Sequence, residues 1–474
     1  MIGFETIGNA TVTCIDDKPI LTTDPWICGD PYFGSWGMRN EIPSAQLEHI
    51  FQAEYMWLSH GHPDHVHAAA LDRLANKKIL LPNHEGGRML TDLTERGFDV
   101  TVMRDRTWMQ LSKNIRAMCI SDYHQDAILL VDVGGRLVVN LNDAVERGWG
   151  RFVKKVISEY KISFLLKLFG YGDVDMINVV DENGVKLIPP APTASAESKA
   201  YWDAYLREKV GFWTNYFQTT YMIPFSSFHR YQRDDSIWCQ EYVTPLSALE
   251  ATETRGGCEM LPAFVQYDCE KDSYECLSPA RIEGEIQTAA SFGDHWSEPL
   301  ERDEISKLTR YFQSIEFLAD KIDHLRFIVG GKEHVVELHS TSRIGPLRAG
   351  RSLSFEVPRA SLMTAVQYEI FDDLLIGNFM KTTLHGDWGT AQAPNVLYPY
   401  FTPWIVRYAD NAQVKTHDEL REYFSAYRRR APFDYLLHRL EHEGVQKLRS
   451  LIRPDSPLFH TATRAYSFLK TKAS

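Results

Sequence analysis

The 474 residues carry 51 Lys and Arg against 63 Asp and Glu, a formal net charge of −12, on a length that allows two or three domains with ample core. The charge is spread without acidic blocks or a basic stripe, which argues against nucleic acid as the main partner. The seven cysteines are odd in number and form no Cys-x-x-Cys pair, so reduced thiols in a cytoplasmic protein are expected rather than a disulfide or zinc-ribbon framework. No apolar run approaches the roughly 20 residues of a bilayer span. The N-terminus lacks the basic and apolar regions of a secretory signal.

In chain order, residues 10–15 and 19–23 read as a hairpin. Residues 54–58 read as a buried strand, Ser59 to His67 as a turn, and 66–74 as a helix. Strands follow at 78–82, 98–103, 108–111 and 115–121. Residues 127–133 and 136–141 form the clearest hairpin, because Gly134-Gly135 supplies the positive φ of a two-residue loop. From 142 to 222 the pattern turns mostly helical and aromatic, interrupted by the loop Pro189-Pro190-Ala191-Pro192-Thr193. A second unit begins near Ile282, with a strand at 352–357, an amphipathic helix at 359–374, a strand at 380–384 and helices at 417–427 and 433–452. Strands interleaved with helices in this way predict an α+β chain whose sheets are covered by helices. The expected division is a catalytic domain at 1–281, with a helical insertion at about 145–222, and a C-terminal α/β accessory domain at 282–474.

The turn reads Ser59-His60-Gly61-His62-Pro63-Asp64-His65-Val66-His67. A strand-to-helix turn must present polar groups, but folding does not require three imidazoles within six residues. His60 and His62 alternate on one side of the extended segment and can share one metal ion. Asp64 and His65 can reach a second. Neutral imidazole and carboxylate suit zinc, iron or manganese. Three further candidate ligands stand at element ends: His124 after a strand, Asp143 after the Gly-Gly hairpin, and His229 in Pro224-Phe225-Ser226-Ser227-Phe228-His229-Arg230. A carboxylate such as Asp143 can bridge two cations and neutralise the repulsion between them.

The intact His-x-His-x-Asp-His at 60–65 makes the chain resemble the metallo-β-lactamase superfamily. More closely, it is similar to the CMP-N-acetylneuraminate hydroxylase family, downstream of that family's Rieske domain. The matching stretches are Ile20 to Trp26, Ser59 to His65, His124 with Asp126, Leu137 to Asp143, Pro224-Phe225 and Asp372 to Gly377. The resemblance implies an αββα sandwich with two divalent metal ions, zinc or iron, at one edge. It places His60, His62 and His124 on one ion, Asp64, His65 and His229 on the other, and Asp143 between them. Asp24 would orient a ligand imidazole through its ring N–H. This sequence holds no Cys-x-His or Cys-x-x-His pair, so the family's Rieske centre has no ligands in it.

Two chemistries fit such a site. The leading expectation is hydrolysis of an ester, amide or phosphodiester bond of a small metabolite by a metal-bound hydroxide, with Asp64 or the solvent itself managing the proton. His124 is the ligand expected at its position in a hydrolytic zinc site. The alternative is a non-haem diiron monooxygenase that draws electrons from a separate partner protein. No Gly-rich phosphate loop supports a nucleotide substrate. The aromatic residues Tyr32, Phe33 and Trp36, in the Gly-rich loop 29–37, suit either a lid over the site or a loop pinned to the core. Arg230 and Arg233 suit either a substrate anion or local pairing with Asp234 and Asp235.

Overall fold

The computed structural model describes residues 1–144, 146, 149–168, 176–226, 228–338, 350–386, 388 and 403–440. Among these, two mixed sheets face one another. The first has eight strands in the order Ser273–Cys276, Val265–Asp268, Ile2–Ile7, Thr11–Asp16, Lys18–Thr23, Tyr55–Trp57, Lys78–Leu81 and Asp99–Val102. The second has seven: Glu259–Met260, Tyr221–Pro224, Ser163–Lys167, Arg136–Asn142, Ala127–Val133, Ile115–Ser121 and Met109–Gln110.

Alternation along the strands explains the layering. In Ala127–Val133, Leu129 and Val131 enter the layer between the sheets, together with Phe4, Val12, Trp57 and Phe164. Ile128 and Leu130 face the other way, into the cluster that holds the flanking helices. The rings of Phe4 and Phe164 meet edge-on across the inter-sheet layer, 4.9 Å between centroids. The result is the expected αββα sandwich. The Gly134-Gly135 turn has φ of +56° and +81°, the left-handed pair that a tight hairpin needs.

Parallel pairing determines where the chemistry sits. In the first sheet Lys18–Thr23, Tyr55–Trp57 and Lys78–Leu81 run parallel. In the second, Arg136–Asn142, Ser163–Lys167 and Tyr221–Pro224 do the same. The chain leaves the C-terminal ends of these strands at one edge of the sandwich, where loops carry Asp24, the His60 turn, Asp143 and Ser226.

Ser163–Lys167 corrects the expectation of a mostly helical segment at 145–222. All five of its residues are buried, so the run is apolar throughout rather than alternating. Periodicity alone does not separate such a buried strand from a helix. Helices Gly150–Ile157 and Ala196–Phe217 do lie in this segment.

A third sheet of five strands orders Val179–Asp181, Lys381–His385, Ser352–Glu356, His324–Val329 and Lys332–Glu337. Its first strand comes from the N-terminal half of the chain and pairs in parallel with Lys381–His385. The single helix expected at 359–374 is two, Arg359–Tyr368 and Phe371–Gly377. Glu369, at φ +52°, ends the first in a left-handed cap. Arg88 fixes the break by donating to the carbonyls of Tyr368, Glu369 and Asp410. Helix His417–Arg430 follows. Residues 432–440 are helical, and the rest of the helix expected at 433–452 lies outside the described residues. No described helix is long and apolar enough to cross a membrane.

Candidate metal centre

The turn after Tyr55–Trp57 is pinned from below. Asp24, fully buried at φ +39°, accepts the Ser59 N–H at 2.8 Å and the Asn142 side-chain N–H at 3.0 Å. Its Oδ2 also lies 3.3 Å from His65 Nδ1, the orienting contact that the resemblance implies. One carboxylate thus joins the first sheet, the turn and the second sheet.

Each imidazole of the turn has one nitrogen held from outside the cluster. His60 Nδ1 meets Ser59 Oγ at 2.9 Å, His62 Nε2 meets Asp372 Oδ2 at 2.8 Å, and His65 Nδ1 meets Asn142 at 3.1 Å as well as Asp24. The other nitrogens face inward. His60 Nε2 and His62 Nδ1 are 2.8 Å apart. His65 Nε2 stands 3.3 Å from Asp64 Oδ2 and 3.4 Å from Asp143 Oδ2, and His60 Nε2 lies 3.8 Å from the same Asp143 oxygen. Ligand atoms of His60, His65 and Asp143 all fall within 4.8 Å of one another, a group that could hold a metal ion.

The carboxylates are held in turn. Asp64 accepts the Tyr32 hydroxyl on Oδ1 at 2.5 Å and the Asn9 side-chain N–H on Oδ2 at 2.8 Å. Asp143 Oδ1 accepts the Ser226 hydroxyl at 3.0 Å. Burial would raise both carboxyls, but the His65 ring overrides it. Asp64 falls to about 2, and Asp143 falls further below the usual range with help from His60 and Lys167. Among the imidazoles, burial and its two His neighbours push His60 down to about 3. For His62 burial is outweighed by Asp372, which lifts the ring to about 9. Both carboxylates of the centre are therefore ionised.

His229 arrives on the short strand His229–Tyr231, which pairs antiparallel with Trp36–Met38. Its ring lies flat on Trp36, with centroids 3.4 Å apart and planes within 1°. The residue is buried, and neither ring nitrogen has a hydrogen-bond partner among the described residues. Burial pushes it down to about 3, opposed by Asp64. An orphaned buried imidazole beside a carboxylate is what a metal ligand looks like without its ion. His124 lies outside the tight group. Its backbone N–H donates to Asp122 Oδ1 at 2.7 Å and its ring packs on Tyr123.

Sequence reasoning missed four contributors: Asn9, Ser226, the hydroxyl of Tyr32 and Asp372. Tyr32 belongs to the loop that was open between lid and core pin, and the structure makes it a hydrogen-bond donor to Asp64. Asp372 opens helix Phe371–Gly377 in the C-terminal half. Its segment is among those that carry the family resemblance, but nothing local marks it as facing His62. Arg233 resolves to local pairing, with Asp235 at 2.8 Å and with the buried Asp294 at 2.8 Å.

No family model matches the chain. The curated cytidine monophosphate-N-acetylneuraminic acid hydroxylase of Gorilla gorilla gorilla is 30% identical over 158 residues, covering 31% of this chain and 26% of that protein. Over that stretch the chain resembles a CMP-N-acetylneuraminic acid hydroxylase. It spans about a quarter of the length of the hydroxylase it matches. Solved structures with a likeness include an isothiocyanate hydrolase from Delia radicum gut bacteria, at 14% identity and a TM-score of 0.33, covering 56% of this chain and 98% of that one. CmlA, a diiron beta-hydroxylase from Streptomyces venezuelae, is 13% identical with a TM-score of 0.33, covering 56% and 53%.

Proposed function

We propose that the chain is a dinuclear metal-dependent hydrolase of a small-molecule ester, amide or phosphodiester. The observation that carries the metal site is the inward convergence of His65 Nε2 on Asp64 and Asp143 and of His60 Nε2 on Asp143, with His62 Nδ1 beside His60 Nε2 and each outer nitrogen already engaged. In this reading His60, His62 and His124 serve one ion, Asp64, His65 and His229 the other, and Asp143 both. A donor set richer in imidazole than in carboxylate suits zinc. It is the ground for preferring hydrolysis.

Bound divalent ions supply an acidified water and polarise the scissile group. The protein's own residues hold the geometry. Asp64 or the solvent itself manages the proton, while the Tyr32 hydroxyl on Oδ1 shares the carboxylate's charge and fixes its plane. Ser226 holds Asp143, and Asp372 holds His62. Trp36, Leu168 and Ile376 line the narrow opening beside Asp64 and Asp143 and keep bulk water from it. The seven cysteines form no disulfide, which supports a cytoplasmic setting.

A second reading is a diiron monooxygenase, favoured by the partial match to a hydroxylase. It requires an electron-donor protein. Metal analysis of the purified protein separates the two. About two equivalents of zinc, with chelator-sensitive cleavage of p-nitrophenyl acetate or bis(p-nitrophenyl) phosphate, is the expected result. Iron with visible absorption and reductant-dependent O₂ consumption would overturn hydrolysis in favour of oxygenation.

A further inference from the structure

A cavity of about 270 Å³ lies against the centre, with His60 and His62 in its lining. Most of its surface is apolar, from Val66 and Leu71 of the turn and the helix after it, Leu81 of the next strand, Met89 and Leu93 of helix Arg88–Glu95, and Ile370 of the C-terminal half, with polar side chains between them. Leu90, 37% exposed, also lines it.

The charges on its wall do not favour an anion. Arg88 spends its guanidinium on the carbonyls of Tyr368, Glu369 and Asp410, and Arg96 pairs with Asp72 at 2.6 Å. Asp372 and Asp373, both buried, face the cavity as carboxylates or carboxyls. His84, also on the wall, has one ring nitrogen engaged and one not. His84 Nε2 lies 3.3 Å from the Ser59 carbonyl, so it carries the proton, and Nδ1 is left as a buried acceptor with no partner among the described residues.

We propose that this cavity takes an uncharged aliphatic chain of the substrate, roughly ten carbons long by scaling from a ~150 Å³ cavity that holds a six-carbon ring, with the reacting end at His60 and His62. The inference rests on the metal-dependent reading and narrows its substrates to acyl or alkyl compounds rather than phosphorylated or acidic metabolites. The chain-length limit comes from the cavity volume, and the exclusion of anions from the lack of an unengaged cation on the wall.

The test uses the full-length protein. Straight-chain hydroxamates from acetohydroxamate to tetradecanohydroxamate are titrated against the zinc-loaded form, and 1-octanol against the metal-free form. Affinity should rise about fourfold for each added methylene, the fold-change that corresponds to ~0.8 kcal/mol of methylene burial, and level off when the cavity is full. Met89→Trp, which fills the cavity, should flatten that series and abolish octanol binding, and Ile370→Phe, from the C-terminal half, should do so independently. A series that is flat in the wild type, or unchanged in both folded variants, overturns the proposal. A protein that takes up no zinc and binds no acetohydroxamate defeats the metal reading instead. The octanol titration then decides the cavity alone: saturable binding that the variants remove supports it, and no binding rejects it.

Discussion

His62 Nε2 and Asp372 Oδ2 lie 2.8 Å apart across 310 residues of sequence. The bond fixes which nitrogen of His62 turns inward, and it comes from the half of the chain that contributes none of the proposed ligands. Replacing Asp372 with Asn keeps the shape and weakens the acceptor. Loss of such an orienting carboxylate costs about 10- to 100-fold in metal affinity. Competition against a chelator should show that loss for one equivalent, with circular dichroism unchanged. Wild-type affinity for both equivalents would remove Asp372 from the site.

Asp143 reaches toward both His60 and His65. Asp143→Ala should therefore cost at least one metal equivalent by elemental analysis. Two retained equivalents would refute a bridging role.

Tyr32→Phe tests the proton handling apart from the metals. The hydroxyl it removes donates to an ionised carboxylate at 2.5 Å, an interaction worth about 1.5–3 kcal/mol. Turnover should drop roughly 10- to 100-fold while metal content stays at the wild-type value. A variant that loses metal but not rate per bound ion would assign Tyr32 to ligand support instead.

Asp410 makes stability depend on pH. It is fully buried, accepting the Tyr311 hydroxyl at 2.5 Å and the Phe371 N–H at 3.0 Å. Burial, reinforced by Asp372, pushes its carboxyl up to about 8. The folded protein therefore holds a proton that the unfolded chain releases near pH 4. Its contribution to stability is complete below about pH 4 and is lost as pH rises toward 8. Urea midpoints of wild type and Asp410→Asn should diverge from pH 5 to pH 8, with the wild type falling relative to the variant. A constant difference would reject the assignment.

Much of the site was legible because its chemistry is local. The six residues from His60 to His65 need only one turn to converge, and Asp143 announces itself at the end of a strand whose partner is set by Gly134-Gly135. The Ser163–Lys167 strand was not legible, since a run buried on both faces carries no period. Nor was the break at Glu369: nothing in Tyr368-Glu369-Ile370 forbids a helix, and the carbonyls freed there are satisfied by Arg88, a residue far upstream. Asp372 depends on that break for its direction, so its place beside His62 is a product of tertiary packing. His124 sits in the expected order along the chain, with its ring beside that of Tyr123.

The parallel pairing of Val179–Asp181 with Lys381–His385 bears on how the protein is made. When the ribosome has extended the chain to residue 281, every proposed ligand exists, but the strand at 179–181 has no neighbour on its Lys381–His385 side and His62 has no carboxylate behind it. Completion of the centre waits for the C-terminal half to emerge and dock. A nascent chain released early would carry the full His-x-His-x-Asp-His turn with its second imidazole unoriented.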